Sequence, residues 1–254
     1  MKADLKSFLT GLRAAWRRET EAYFATPLAY VFIAIFLLTL SVFTWEMSGF
    51  FDTGAADLAP FFYWHPWLYI LFMPALAMRL WSDETNTGTG ELLLSLPVSI
   101  PGLIIGKLLA AWTVAAIALG LTFPWWLVVN ILGPADNAAI ALSYIMSLVM
   151  AGAYLSIGAA VSALTRSAVL AFVIGVLVAF LLTAAGWPMV TRTAASLFGT
   201  SAGDAMAQFS FLTHFETAQR GVLELRGLLF FFGFIALSAA LNTLFVTHRR
   251  SGIR

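Results

Sequence analysis

The residues able to do chemistry are few in this chain, and their spacing keeps them apart. Three histidines, thirteen acids and fourteen bases are spread over 254 residues, and there is no cysteine. Without cysteine no disulfide, thiolate nucleophile or zinc-finger spacing can form. His65 stands alone in "FYWHPWLY". A metal site needs several converging ligands, so this setting reads as an aromatic belt at an outer membrane interface. "GLIIGKLL" (Gly102 to Leu109) has three residues between its glycines, where a phosphate loop needs four and a Ser or Thr after the lysine. No His-Glu-x-x-His pair occurs, so a zinc-protease centre is not expected. Metal and catalytic residues are therefore expected to be absent. One stretch does combine acids, turn residues, leucines and prolines: "SDETNTGTGELLLSLPVSIPG", residues 82–102.

The elements around that stretch follow from composition. The chain is 61% apolar and 11% charged, against about 25% charged in soluble domains, which predicts an all-α integral membrane protein. A net charge of +1 makes nucleic acid an unsuitable partner. Six segments are apolar over the roughly 20 residues a crossing needs, at about 27–45, 61–80, 103–129, 139–164, 168–187 and 228–247. Met1 to Phe24 lacks the short apolar core and cleavage site of a secretory signal. With both termini in the cytoplasm, eleven basic residues lie inside and three (Arg192, Arg220 and Arg226) outside, as the positive-inside rule requires. The spans hold almost no ionisable residue, which argues against an ion-coupled carrier, whose relay needs them. Any work the chain does is then driven from outside.

Ahead of the first span, Leu5, Phe8, Leu9, Leu12, Trp16 and Tyr23 recur at helical spacing while Lys6, Arg13, Arg17 and Glu21 fall largely elsewhere. That pattern predicts an amphipathic helix lying in the cytoplasmic interface, with little else present for it to pack on. Within 82–101, Asp83 and Glu84 precede the turn residues Asn86 to Gly90. "ELLLSLP" (Glu91 to Pro97) then reads as one to two helical turns stopped by Pro97 and Pro101. Glu91 suits the positive end of a helix dipole, and Leu92, Leu93, Leu94 and Leu96 cover more than one side, suiting either a contact site or packing under the bundle. Gly152, Ser156, Ala159, Ala160 and Ala163 form a small-residue stripe for close helix packing, within the chain or against a second copy. Residues 188–227 form an outer connection in which Arg220, Glu216, Glu224 and Arg226 suit a charged surface.

These residues also carry a resemblance. "PALAMRLWSDETNTGTGELLLSLPVSIPGLIIGKLLA" (Pro74 to Ala110) closely resembles the second-to-third-span region of ABC-2 type permeases, particularly the gliding-motility-type, GldF-like branch. The family pattern is matched in order by Arg79, Asp83, Glu84, Gly88, Thr89, Glu91, Leu92, Leu93, Pro97, Val98, Gly106 and Lys107; Gly90 departs from it, where the family tends to have a larger apolar residue. "RAAWRRETEAYFATPLAYVFIAIFLL" (Arg13 to Leu38) and "FSFLTHFETAQRGVLELRGLLFF" (Phe209 to Phe231) are similar to the family's opening helix and to its segment before the last span.

The resemblance implies a single transmembrane domain over 1–254: an interfacial helix (1–26, with Leu5, Phe8, Leu12, Trp16 and Arg17), spans one to five (27–187), an extracytoplasmic connection (188–227) and the last span with its tail (228–254). It implies short outer helices re-entering the outer leaflet, involving His214, Phe215, Arg220 and Arg226. It further implies that Asp83, Glu84, Gly88, Thr89, Glu91, Leu92, Leu93, Leu94, Leu96 and Pro97 belong to a coupling helix docked on a separate cytoplasmic ATPase. ATP and Mg would sit on that partner, with no cofactor in this chain. A second permease copy or related permease, membrane lipids and an extracytoplasmic GldG-like protein are the other implied partners, in the bacterial inner membrane. The expected function is ATP-driven export or flipping of a hydrophobic or lipid-linked substrate. The alternative is a non-transporting component of an ATPase-driven envelope assembly.

Overall fold

A computed structural model describes residues 2–50, 56–87 and 99–251, and every regular element among them is helical. Helix α1 (Lys2–Ala25) is followed at once by α2 (Pro27–Val42), opened by a proline in the first turn, where its missing N–H costs nothing. The helix loosens into a π-turn at Phe43–Met47, where the Thr44 hydroxyl donates to Leu40 O at 2.8 Å.

The predicted second span is divided into α3 (Ala59–Tyr63), α4 (His65–Ala77) and α5 (Arg79–Thr87). Pro60 and Pro66 lie in the first turns of α3 and α4, and Pro74 sits inside α4, removing a helical donor there. The break at Met78 is stitched by a side chain from another helix. The Ser162 hydroxyl donates to Met78 O at 2.7 Å and accepts from the backbone N–H of Trp81 and Ser82 at 3.1 Å each.

Helix α6 (Ile100–Gly120) begins earlier than its apolar run predicts, because Ser99 caps it by accepting from the Gly102 N–H at 3.3 Å. Pro101 opens this helix, instead of ending the preceding segment. After a turn comes α7 (Phe123–Leu132), then α8 (Asn137–Leu164), capped by Asp136, and α9 (Ala168–Ala184), capped by Ser167. Helix α10 (Pro188–Phe198) is bent 71° from α9, and α11 (Thr200–Gln208), α12 (Phe211–Gln219) and α13 (Leu225–Ser251) complete the chain.

Among the described residues, four stretches are long and apolar enough to cross a membrane: Pro27–Met47, Ile100–Leu132, Asn137–Leu164 and Leu225–Thr247. The bent α9–α10 pair makes five. This differs from the six predicted by hydropathy, because 59–87 is divided at Trp64 and Met78 into helices each too short to count singly.

Helix α8 is the axis of the bundle, touching α4, α5, α6, α9, α12 and α13. Its small-residue stripe is turned inward: Ser156, Ala159, Ala160 and Ala163 are buried, and a Cβ on Gly152 would lie 2.6 Å from the Trp112 ring. Gly158 and Gly175 let Pro74 and Ala77 of α4 approach α8 and α9. His65, expected at an aromatic interface, is instead fully buried among Phe61, Phe62, Tyr69 and Phe215. Aromatic flanks look the same in a belt and in a core, and its Nδ1 donates to Phe61 O at 3.1 Å.

Candidate functional site

Lys107 is the single charged residue of α6, and its side chain is 1% exposed. A buried ammonium is tolerated only with close acceptors, and three are present. Its Nζ lies 2.9 Å from Glu84 Oε1, 3.1 Å from Glu19 Oε1 and 2.7 Å from Leu80 O. The Trp81 ring covers a further side, its centroid 4.7 Å away, a favourable placement over the aromatic face. Arg18 Nη2 bridges the same two carboxylates, at 2.6 Å from Glu19 and 2.5 Å from Glu84. Burial pushes the Glu19 carboxyl up, but Lys107 and Arg18 outweigh it and hold it below the usual carboxylate range.

Three helices bring these charges together. Helix α1 lies directly on α6 because Gly102 and Gly106 have no side chain: a Cβ at either would stand 2.5 Å from the carbonyl of Phe8 or Leu12. Residues 8–16 thereby run alongside 102–106 in the same direction, and Trp16 donates to Thr113 Oγ1 at 3.0 Å. Near the other end of α1, buried Tyr23 donates to Leu76 O of α4 at 2.7 Å. Helix α5 offers Glu84 one turn past the stitch made by Ser162. The groups line a cavity of about 430 Å³ shared by Arg18, Glu19, Tyr23, Arg79, Glu84 and Lys107.

The predicted interfacial residues are divided by this packing. Leu5 and Leu9 are exposed, Phe8 and Leu12 are half-buried, and Arg17 pairs with Glu21 at 2.7 Å on the exposed side. The helix thus has a partner, α6, that its pattern does not announce. Of the predicted coupling residues, Asp83 pairs with Arg79 at 2.7 Å and Glu84 faces inward to Lys107. Gly88, Thr89, Glu91, Leu92, Leu93, Leu94, Leu96 and Pro97 lie outside the described residues. In the 188–227 connection, His214 and Phe215 are buried, with His214 Nε2 donating to Gln208 O at 3.0 Å. Arg220 and Arg226 are exposed, and among the described residues no ion pair joins them to Glu216 or Glu224.

Arg18, Glu19, Trp81 and Ser162 carry no motif that marks them in the sequence. The available signal was Lys107 itself: a lone cation in an apolar run must find anions, though not which ones.

This arrangement is an ionic joint in a multi-pass, all-helical membrane protein. The family model for ABC-2 family transporter proteins matches residues 68–248, well over half of the chain, and the chain belongs to that family. It is accordingly a membrane permease of an ABC transporter, the membrane component and not itself the ATPase. A search of curated proteins finds no match.

Proposed function

We propose that this chain is the GldF-like permease subunit of an ATP-driven ABC-2 transporter, working with a separate cytoplasmic ATPase to export or flip a hydrophobic or lipid-linked substrate. The observation that carries the reading is the joint at the base of residues 88–98. The segment leaves α5 three residues after Glu84 and returns a turn or two ahead of Lys107, and those two side chains are paired at 2.9 Å. A docking element must be rooted in the spans it moves, and the Glu84–Lys107 pair would supply that root. Residues 82–101 would then hold the coupling helix, with Glu91 and Leu92 to Leu96 meeting the ATPase. ATP and Mg would be bound by that partner.

Counting the kinked stretch from Ala59 to Leu80 as one crossing gives six spans, with both termini in the cytoplasm of a bacterial cell and one transmembrane domain over the whole chain. Arg17 and the exposed Leu5, Leu9 and Trp16 of α1 would meet lipid headgroups, and α10 to α12 the outer leaflet. The exposed apolar faces of α2 and α13 suit acyl chains or a second permease copy, and a GldG-like protein would sit on the outer side.

The test is co-purification with a cognate ABC ATPase, followed by ATP turnover in nanodiscs. A stable complex is expected, with turnover that falls in Glu91→Arg and Leu93→Asp. A permease that never associates, or turnover indifferent to both substitutions, would refute the proposal.

A further inference from the structure

The ammonium of Lys107 has three donors, and they meet three acceptors on two other helices: Glu19 of α1, and Glu84 and the Leu80 carbonyl of α5. Arg18 of α1 repeats the tie to Glu84. We infer that Lys107 is a positioning residue that locks α1, α5 and the start of α6 into one unit, so that displacement of residues 88–98 is delivered to α1 together with both flanking helices. The inference rests on the permease reading above and adds an output that reading does not require.

Three features of the geometry favour joint motion over local give. The pair Glu84–Lys107 ties α5 to α6, so these two helices cannot part without stripping a buried cation of Glu84 and the Leu80 carbonyl, which is costly. The seam at Gly102 and Gly106 puts the α1 backbone in direct contact with α6, leaving no flexible side chain between them to absorb a push. Tyr23 fastens α1 to the α4 backbone at Leu76. Helix α1 is thus held along its length at α6, α5 and α4, and through Trp16 it reaches Thr113, well inside α6.

The chain has no cysteine, so single cysteines can carry nitroxides without background. In the permease–ATPase complex in nanodiscs, electron–electron distances would be measured from Ala138, beyond the far end of α7, to Asn86 on α5 and to Arg13 on α1, before and after trapping with ATP and vanadate. In the parent protein both distances shift. The double variant Arg18→Gln, Glu19→Gln keeps the Lys107–Glu84 pair but cuts the ionic ties of α1; the Asn86 shift persists and the Arg13 shift shrinks to what the Gly102–Gly106 seam and Tyr23 still transmit. Lys107→Met reduces the Arg13 shift, with Arg18–Glu84 as the remaining ionic tie, and Lys107→Arg restores it. Should Lys107→Met fail to fold, the double variant decides alone. A full Arg13 shift in the double variant overturns the inference. So does a parent protein in which Asn86 moves and Arg13 stays still, although the permease reading survives that result. If neither position moves while the complex turns over ATP, coupling through 88–98 itself falls.

Discussion

At the junction of α1, α5 and α6 the buried polar atoms are charges drawn from three helices. Between α4, α8, α9 and α12 they are neutral hydroxyls and backbone carbonyls. There Tyr69 meets Ser147 Oγ at 2.7 Å, Tyr154 donates to Thr183 Oγ1 at 2.5 Å, and Ser210 donates to Thr183 O at 3.0 Å. Thr183 in turn donates to Ala179 O of its own helix at 2.8 Å. The two solutions differ in what happens when helices shift. A neutral bond between helices contributes about 0.6–1 kcal/mol and can be exchanged for a neighbouring carbonyl. Removing one partner of a buried ion pair strands the other charge, at about 3–5 kcal/mol. One region is therefore a stiff joint and the other a compliant interior.

The largest effect expected from this contrast is that of Lys107→Met, which strands Glu19 and Glu84 with only the half-exposed Arg18 for compensation. Unfolding of the detergent-solubilised chain should show a loss of about 3–5 kcal/mol. A loss no greater than that of a hydroxyl deletion would erase the distinction.

The α1–α6 seam comes next. Gly106→Leu would place a Cβ 2.5 Å from Leu12 O and 2.8 Å from the Ala15 methyl, and overpacking of this kind costs about 1–3 kcal/mol. A cysteine introduced at buried Ala15 should become accessible to a maleimide in that variant. Gly120→Ala, with nothing within 4 Å, is the control and should leave labelling unchanged.

In the neutral region, Tyr154→Phe removes the bond to Thr183 but leaves that hydroxyl its own carbonyl partner. The expected loss is about 1 kcal/mol, read from the same unfolding transition.

The smallest effect is in the response to acid. The Glu19 carboxyl is held below its ordinary value of 4.5, so its stabilisation is complete above that pH and is lost as the pH falls through the lower, folded value. Glu216, in α12, is pushed above 4.5 by burial, partly offset by Arg220. Its penalty is present at neutral pH and is relieved on acidification, before Glu19 begins to protonate. Stability should therefore rise slightly and then fall as the pH is lowered. Glu216→Gln should remove the rise and Glu19→Gln the fall; melting temperature against pH separates the two.

Much of the helical framework could be read from residues alone. Ser99, Asp136 and Ser167 precede apolar runs and cap α6, α8 and α9, since a short polar side chain there satisfies orphan N–H groups. The breaks at Trp64 and Met78 in the second apolar segment were not legible, because hydropathy registers apolar length and not where a helix is interrupted. His65 was misplaced because its neighbours Phe61, Phe62 and Tyr69 have the same composition in a belt as in a core. The joint was out of reach for a different reason: Glu19 and Glu84 stand 88 and 23 residues from Lys107, and no local pattern marks a partner at such distances. The same holds for Ser162, whose hydroxyl completes a break 84 residues earlier.

The residues themselves determined that the chain is helical and that it belongs in a membrane. Those properties depend on composition and on spacings of a few residues. Only the tertiary structure decided which carboxylates neutralise Lys107, that the α8 stripe is spent inside the chain, and that α1 rests on α6. Each is a contact between distant segments, set by how whole helices pack and by the high cost of leaving a buried charge alone.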